Sequence, residues 1–167
     1  EQLRGDIELT YFEFTTLASF YLLKQQQPDL CLIEVGLGGR LDATNIIEPD
    51  LSILTTVDLD HQDYLGPDRE SIGREKAGVF RANKPAVIGE TDIPQSVLKY
   101  SQDIAAQLLC INKDYHYSVT EASFSWQGVH SRLDGLPLTA VPLQNIATAL
   151  TALEALALLP SQQQAIK

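Results

Sequence analysis

Two apolar, strand-like runs in this chain are each followed by residues that could do chemistry. Glu34 lies at the end of the run 30–35, and an acidic segment that contains His61 follows the run 51–57. Ligands bind outside the carboxyl ends of the strands in open parallel sheets. If the two runs are neighbouring strands, Glu34 and His61 lie in one crevice and form a partial shell for Mg²⁺ or Mn²⁺. An isolated carboxylate in an apolar strand is costly, which favours a role for Glu34, whereas a loop imidazole often only caps a neighbouring group.

Lys76 is placed where a lysine is poorly solvated. On the predicted helix 68–80, Ile72 and Val79 flank Lys76 at i−4 and i+3, so its side chain projects from the apolar face. A desolvated lysine has a larger neutral fraction, and a neutral amine is a nucleophile or can take up CO₂ as a carbamate. In the alternative, the stem packs while the ammonium reaches water or pairs with Glu75, and helix phase alone slightly favours this alternative.

The glycine-rich loop 36–40 follows a predicted strand but fails as a dinucleotide site. Position 41 is Leu, so the G-x-G-x-x-G pattern is not completed. The phosphate-loop pattern G-x-x-x-x-G-K-[ST] is also missing, since the dipeptide Gly-Lys does not occur in the chain. Sequence motifs alone therefore do not show how this chain would hold a nucleotide.

Two further sites have both structural and functional interpretations. Thr10 and Glu13 fit a capping box at the start of a helix, and the alternative is a ligand pocket in which Phe12 supplies a flat apolar wall. Asn145 stands beside Gln144 at the start of the last predicted helix, where it could simply cap the helix.

Composition excludes several classes of protein. The chain has 167 residues, 44% of them apolar and 20% charged, which is typical of a globular domain. Its net charge of −10 argues against non-specific binding of nucleic acid. No apolar run reaches the length of a membrane span, so no membrane partner is expected. Cys31 and Cys110 lie in apolar runs and are expected to be buried, reduced thiols.

The order of elements predicts an α/β fold with a mostly parallel sheet flanked by helices and a small antiparallel β appendage. A hairpin turn is expected at Gln127–Gly128. Helices are expected at 9–27, 68–80, 95–108 and 143–159. Strands are expected at 30–35, 51–57, 86–89, 109–112, 115–120, 123–127 and 129–133, and 36–50 and 58–67 are expected to be loops.

Four segments, in this order along the chain, resemble the signatures of the folylpolyglutamate synthase/dihydrofolate synthase family, a branch of the Mur ligase superfamily. They are LTYFEFTT at 9–16, EVGLGGRLDATN at 34–45, DHQDYLG at 60–66 and GREKAG at 73–78. The second segment is far more specific than a bare glycine loop, and the bacterial bifunctional enzymes are the most similar. The resemblance covers nearly the whole chain.

The resemblance implies a cytoplasmic, monomeric, ATP-dependent ligase that joins L-glutamate to dihydropteroate or folate through an acyl phosphate, with two Mg²⁺ sites. By position, Glu34 and His61 are similar to metal ligands, His61 and a carbamylated Lys76 to catalytic residues, and Asn145 to the residue that contacts adenine. The dihydropteroate pocket would be formed by Thr10, Tyr11, Phe12, Glu13, Leu41, Asp42 and Ala43.

The family also has a phosphate loop upstream of the first helix and a C-terminal domain, which this sequence does not show. Because residue 1 is Glu and the chain has no Met, we expect 1–167 to be an incomplete central ATP-binding domain that is inactive by itself. Its parts would be an α/β core at 1–112, a small antiparallel sheet at 113–142 and a closing helix at 143–159. The alternatives are a pterin-binding module without ligase activity and a Mur-type ligase that makes peptidoglycan precursors.

Overall fold

A computed structural model describes residues 5–162 of the protein. A parallel sheet forms the centre of its first part. Its strands are β1 (Ser52–Leu54), β2 (Pro85–Ile88) and β3 (Gln107–Cys110), in the order β1-β2-β3. Alternate residues of β2 point to opposite faces. Ala86 and Ile88 join a core with α3 (Arg69–Ala77) and α4 (Gln95–Asp103), and Val87 joins a second core on the other face.

The second core is built on a small antiparallel sheet. Its strands β4 (His116–Val119), β5 (Ser123–Gln127) and β6 (Arg132–Pro137) pair in sequence order. Trp126 of β5 is fully buried in this core, where it packs with residues of α5 (Leu143–Ala155). The structure therefore confirms the predicted α/β class with its antiparallel appendage.

Element ends differ from the predicted ones where the backbone turns left-handed. The predicted helix 95–108 stops at Asp103, because Ala105 has φ 56° and the strand β3 begins at Gln107. The predicted helix 143–159 stops at Ala155, two residues before Ala157 with φ 57°. The other two predicted helices are present as α1 (Tyr11–Gln26) and α3.

The two predicted loops contain short helical segments. A 3-10 helix (Ala43–Ile46) lies in one of them and α2 (Gln62–Leu65) in the other. The hairpin turn is also longer than predicted, because Gly128 N donates to Ser131 O and β6 starts only at Arg132.

The prediction of a buried strand at 30–35 is wrong. No strand among residues 5–162 pairs with this run, and Leu30 and Leu32 are 53% and 87% exposed. A strand needs a hydrogen-bonding neighbour, and hydrophobicity alone does not supply one. Glu34 is exposed as well, so the cost of burying a carboxylate gives no argument for its function. Cys31 is exposed too, contrary to expectation, whereas Cys110 is buried, which raises the pKa of its thiol.

No helix in residues 5–162 is long and apolar enough to cross a membrane.

Candidate functional site

An open cavity of about 210 Å³, called here the Lys76 cavity, lies beside the carboxyl end of β1. Three parts of the chain line it: the glycine-rich loop, the segment after β1, and the apolar face of α3. The lining residues are Val35, Gly36, Leu37, Gly38, Asp58, Asp60, His61, Leu65, Ile72 and Lys76. Sequence reasoning predicted that His61 and Lys76 belong to the site, and the structure places both in this cavity.

Lys76 is held on the apolar side of α3, as its helix phase predicts. Ile72, one turn earlier, is fully buried, and Lys76 is itself partly buried. The alternative pairing with Glu75 does not occur, because the Glu75 carboxylate binds Arg40 instead, with Arg40 Nη2 3.0 Å from Glu75 Oε1. Within residues 5–162 Lys76 forms no ion pair, although Asp58 and Asp60 share its cavity.

His61 stands at the start of α2 with a left-handed backbone, φ 49° and ψ 40°. Residues other than glycine rarely adopt this conformation, and it often occurs at functional sites. The backbone N of His61 donates to Asp60 Oδ1 at 2.8 Å, and His61 Nε2 lies 3.6 Å from Asp60 Oδ2. The side chain of His61 is exposed, the residue lines the cavity, and its imidazole makes no hydrogen bond that caps α2.

Glu34 does not line the Lys76 cavity, although its neighbour Val35 does. In the part of the chain that the structure describes, no three His, Cys, Asp or Glu side chains group closely enough to hold a metal ion by themselves. Mg²⁺ usually takes only one or two protein carboxylates and completes its shell with water and substrate phosphates. The cavity's oxygen and imidazole donors fit that incomplete shell.

A second depression, an open groove of about 390 Å³, lies between the start of α1 and the segment that leads into the 3-10 helix. We call it the groove. Its lining residues are Leu9, Glu13, Thr16, Leu17, Arg40, Leu41, Asp42, Ala43, Asn45 and Ile46. Of the predicted pocket, Glu13, Leu41, Asp42 and Ala43 line it. Sequence reasoning missed Leu9, Thr16 and Leu17, although their spacing from one another and from Glu13 (i, i+4, i+7 and i+8) is that of one helix face.

The other three residues of the predicted pocket do not line the groove. Thr10 closes a capping box with Glu13, whose Oε2 accepts bonds from Thr10 N at 2.7 Å and Thr10 Oγ1 at 2.8 Å. The backbone bond from Thr10 lowers the pKa of Glu13. Tyr11 is 85% exposed. Phe12 packs on the glycine-rich loop, with its Cζ only 2.8 Å from where a Cβ on Gly36 would stand.

Asp42 connects the start of the glycine-rich loop to the 3-10 helix. Its Oδ2 accepts bonds from the backbone N of Gly36 (3.1 Å) and Leu37 (3.0 Å), and its Oδ1 from Thr44 N (2.8 Å) and Thr44 Oγ1 (2.6 Å). Partial burial acts to raise the pKa of Asp42, but the bonds from Thr44, Leu37 and Gly36 outweigh it and the pKa lies below its usual range. Because both oxygens are already used, Asp42 shapes the groove more than it offers free acceptors.

Asn145 lies outside both depressions, on the first turn of α5. Its side chain is exposed and does not cap the helix, because Pro142 is the N-cap residue. The neighbouring Gln144 donates from Nε2 to Gly89 O at 2.6 Å. Asn145 is therefore placed near the carboxyl end of β2, the same edge of the sheet as the Lys76 cavity.

Comparison with known proteins gives several similar sequences, although no protein-family model matches the chain. The chain is 52% identical over 155 residues to the dihydrofolate synthase/folylpolyglutamate synthase of Escherichia coli, covering 93% of this chain and 37% of that relative. It is 45% identical over 146 residues to the protein of the same name from Haemophilus influenzae, covering 87% of this chain and 33% of the relative.

Solved structures show the same similarity. Escherichia coli FolC in complex with ADP matches with a TM-score of 0.92 and 51% identity, covering 96% of this chain and 39% of that one. A bifunctional folylpolyglutamate synthase/dihydrofolate synthase with Mn, AMPPNP and L-glutamate bound matches with a TM-score of 0.87 and 52% identity, covering 98% and 39%. The chain thus spans little more than a third of the length of these relatives.

Proposed function

Because this chain belongs to the dihydrofolate synthase/folylpolyglutamate synthase family, we propose that it forms part of an ATP-dependent ligase that joins L-glutamate to dihydropteroate, to folate or to both. The proposal is supported by what similar structures hold: FolC with DHPP and ADP, and the bifunctional enzyme with Mn, AMPPNP and L-glutamate. In this activity ATP phosphorylates a carboxylate of the pterin substrate, and the amine of glutamate then displaces the phosphate.

The observation that carries the proposal is that one segment, 36–46, lines both depressions. Its glycine-rich beginning borders the Lys76 cavity, and its continuation from Arg40 to Ile46 borders the groove. A polar cavity with an imidazole and a lysine therefore adjoins an open depression with several apolar residues. Phosphoryl transfer depends mainly on positioning and charge neutralisation, so a site of this kind needs no protein nucleophile.

We assign the roles as follows. The groove, with Glu13, Leu41, Asp42 and Ala43, holds the pterin substrate, and Thr10, Tyr11 and Phe12 shape its rim. We assign His61 to the phosphates, and with it Glu34, which lies outside the Lys76 cavity but directly precedes Val35 of its lining. Asn145 contacts the adenine of ATP at the carboxyl edge of the sheet.

Lys76 carries a carbamate in this proposal. The ammonium of the partly buried Lys76 first loses one proton to give the neutral amine, which adds CO₂ and loses a second proton, so that a cation becomes a carbamate anion in the cavity that His61 and Asp58 also line. When bound, Mg²⁺ would neutralise charge on the ATP phosphates there, with His61, Glu34 and the carbamate as its protein ligands. Residues of the chain otherwise bind and orient the substrates.

The domain assignment belongs to the same proposal. Residues 1–167 would be an incomplete central ATP-binding domain, with the α/β core at 1–112, the small antiparallel sheet at 113–142 and a closing helix at 143–159. The enzyme would be a cytoplasmic monomer that binds neither nucleic acid nor a membrane, in keeping with the net charge of −10. By itself the chain would not complete a turnover.

A chimeric enzyme tests the proposal directly. This chain would replace the matching segment of the Escherichia coli relative, and ADP release would be measured with dihydropteroate or folate, with and without L-glutamate. We expect ADP release that depends on both the pterin and the amino acid. Tight pterin binding without turnover would instead indicate a binding module, and turnover with a nucleotide-linked peptidoglycan precursor would indicate a Mur-type ligase.

A further inference from the structure

Val57, just beyond β1, has both of its backbone groups bound by side chains from other elements. Val57 N donates to Glu90 Oε2 at 2.8 Å, and Arg69 Nε donates to Val57 O at 3.0 Å. The ordinary sheet pairing ends earlier, where Gly89 N donates to Leu54 O at 2.8 Å. The chain beyond Leu54 is therefore held by two charged side chains, and Val57 itself is only 2% exposed.

Glu90 and Arg69 belong to one network, called here the clamp. Glu90 is 8% exposed, and its second oxygen, Oε1, accepts a bond from Asp92 N at 3.0 Å. Arg69 Nη2 lies 3.6 Å from Glu90 Oε2 and donates to Asp92 O at 2.7 Å. Arg69 Nη1 also forms an ion pair with the Asp92 carboxylate. The partners of the buried carboxylate are thus complete, which offsets the cost of its burial.

The clamp closes the base of the loop that carries His61. This loop, 58–68, begins directly after Val57 and ends directly before Arg69, so the bond from Arg69 to Val57 O joins its two ends. Residues 58–64 are all exposed, so this part of the loop has little packing of its own, whereas Leu65 after it packs against the core. Arg69 is also the first residue of α3, two turns before Lys76.

We propose that Glu90 and Arg69 are positioning residues for the ligase reaction: they hold Asp58 and His61 at a fixed place relative to Lys76. The inference rests on the proposed function, since it gives the clamp a reaction to serve. Neither side chain lines the Lys76 cavity, so both act through the backbone of Val57 and through α3. Hydrogen bonds have preferred distances and angles, so the bonds from Glu90 and Arg69 to Val57 define where the loop begins.

Hydrogen exchange in this chain tests the positioning step without any activity. Glu90→Gln keeps the size of the side chain but replaces one acceptor by an NH₂ donor, so Val57 N or Asp92 N loses its partner. We expect the amides of 57–61 to exchange at least about tenfold faster. Unchanged exchange at 57–61 would overturn the proposal.

Glu154 offers a matched control. Its carboxylate likewise accepts two backbone bonds, from Val129 N at 2.8 Å and His130 N at 3.1 Å, but it anchors the β5–β6 hairpin to α5, away from the cavity. Glu154→Gln should speed exchange at 129–130 and leave 57–61 unchanged. If it loosened 57–61 as much as Glu90→Gln does, the effect would be general destabilisation and the proposal would fail.

Kinetics of the chimeric enzyme separate positioning from mere stability. Glu90→Gln should lower kcat at least about tenfold, raise the Mn²⁺ concentration needed for half-maximal rate, and leave KM for the pterin within about twofold, because the groove does not touch the clamp. Arg69→Lys, which keeps one charge but not the forked contacts, should lose less kcat. Glu154→Gln should keep kcat within about twofold even where its Tm falls equally.

The outcomes distinguish the two proposals. Equal kcat losses for Glu90→Gln and Glu154→Gln in an active chimera would refute the positioning role and leave the ligase function standing. A chimera that does not ligate before any further substitution would reject the proposed function, and with it the catalytic meaning of the clamp. Faster exchange at 57–61 with unchanged kcat would likewise overturn the inference.

Discussion

Arg40 and Glu75 form a close ion pair: Arg40 Nε lies 3.0 Å from Glu75 Oε1 and 3.2 Å from Oε2, and Arg40 Nη2 lies 3.0 Å from Oε1. The backbone N of Arg40 also donates to Glu75 O at 2.9 Å. Arg40 lines the groove, and Glu75 immediately precedes Lys76 on α3. The wall of the groove is thereby fixed to the helix that carries Lys76, and the carboxylate nearest to Lys76 in sequence is unavailable to it.

Replacement of Lys76 should abolish ligation while preserving the fold. In the chimeric enzyme we expect Lys76→Ala and Lys76→Arg each to lower kcat by about 100-fold or more, since neither can form a carbamate. The retained charge of arginine should bring no rescue, because a guanidinium stays protonated. Added short carboxylates should partly restore Lys76→Ala by occupying the vacated space. Steady-state ADP release measures these effects.

Arg74→Ala is the control, because Arg74 lies on the exposed side of the same helix. It should leave kcat within about twofold of the unsubstituted enzyme. Substantial activity in Lys76→Arg would show that Lys76 serves only as a positive charge.

Trimming Leu41 should weaken binding of the pterin without weakening the fold. Leu41 lines the groove and is 78% exposed, so its loss removes apolar contact from a ligand and little from the protein core. We expect Leu41→Ala to raise KM for the pterin about tenfold, corresponding to about 1.4 kcal/mol, with kcat little changed. Leu138→Ala, an exposed leucine outside the groove, should leave KM unaltered. Equal KM values for the two variants would remove the groove from the proposed site.

Asp42 should stabilise the protein only where it is ionised. Its pKa is lowered in the folded state, so its contribution is complete above the ordinary aspartate pKa of about 4 and is lost as the pH falls through the lower folded value. Asp42→Asn should cost about 2 kcal/mol at pH 7, and the difference from the unsubstituted protein should shrink below about pH 4. Urea unfolding at pH 7, 5, 4 and 3 measures this dependence.

A matched substitution at an exposed aspartate checks the assignment. Asp103, the last residue of α4, is exposed, and Asp103→Asn should change the free energy of unfolding by less than about 0.5 kcal/mol at each pH. A pH-independent difference for Asp42→Asn would mean that its hydrogen bonds do not depend on the charge.

Trp126 should contribute strongly to the stability of the antiparallel sheet and α5. It is fully buried, and its Nε1 donates to Thr151 Oγ1 at 3.1 Å. Trp126→Phe removes that bond and leaves a small void, so we expect a loss of about 2 kcal/mol. Urea unfolding should be followed by far-UV circular dichroism, because Trp126 is the only tryptophan and its replacement removes the tryptophan fluorescence signal. Tyr64→Phe, at a position 79% exposed, should change stability by less than about 0.5 kcal/mol.

Local pattern was sufficient to predict much of this fold. The periodicity around Lys76 correctly placed it beside the buried Ile72, and the Thr10 and Glu13 spacing correctly identified a capping box. Both features depend on residues within one or two helical turns. The change from parallel to antiparallel strands was also visible, because short strand-like runs without intervening helices are typical of a meander.

Features that depend on distant partners could not be predicted. The run 30–35 has the composition of a buried strand, but composition does not specify a neighbour to pair with. No pattern in the sequence around Glu90 predicts that its carboxylate accepts a bond from the backbone N of Val57, 33 positions earlier. The left-handed backbone of His61 and the short helix after it were likewise not predicted, since the segment 58–67 has the composition of a polar loop.

Within segment 36–46, Gly39 separates the residues that line the Lys76 cavity from those that line the groove. A Cβ at Gly39 would stand 2.8 Å from Glu75 O and 2.9 Å from Lys76 O. Any side chain would push the loop off the helix and displace both walls at once. The two halves of this segment therefore cannot be redesigned separately. If the proposed function holds, substitutions in 40–46 that change selectivity for the pterin should also change the dependence on metal and nucleotide. Exchange of 36–46 together with the end of α3 would keep the contacts of Gly39 with that helix intact.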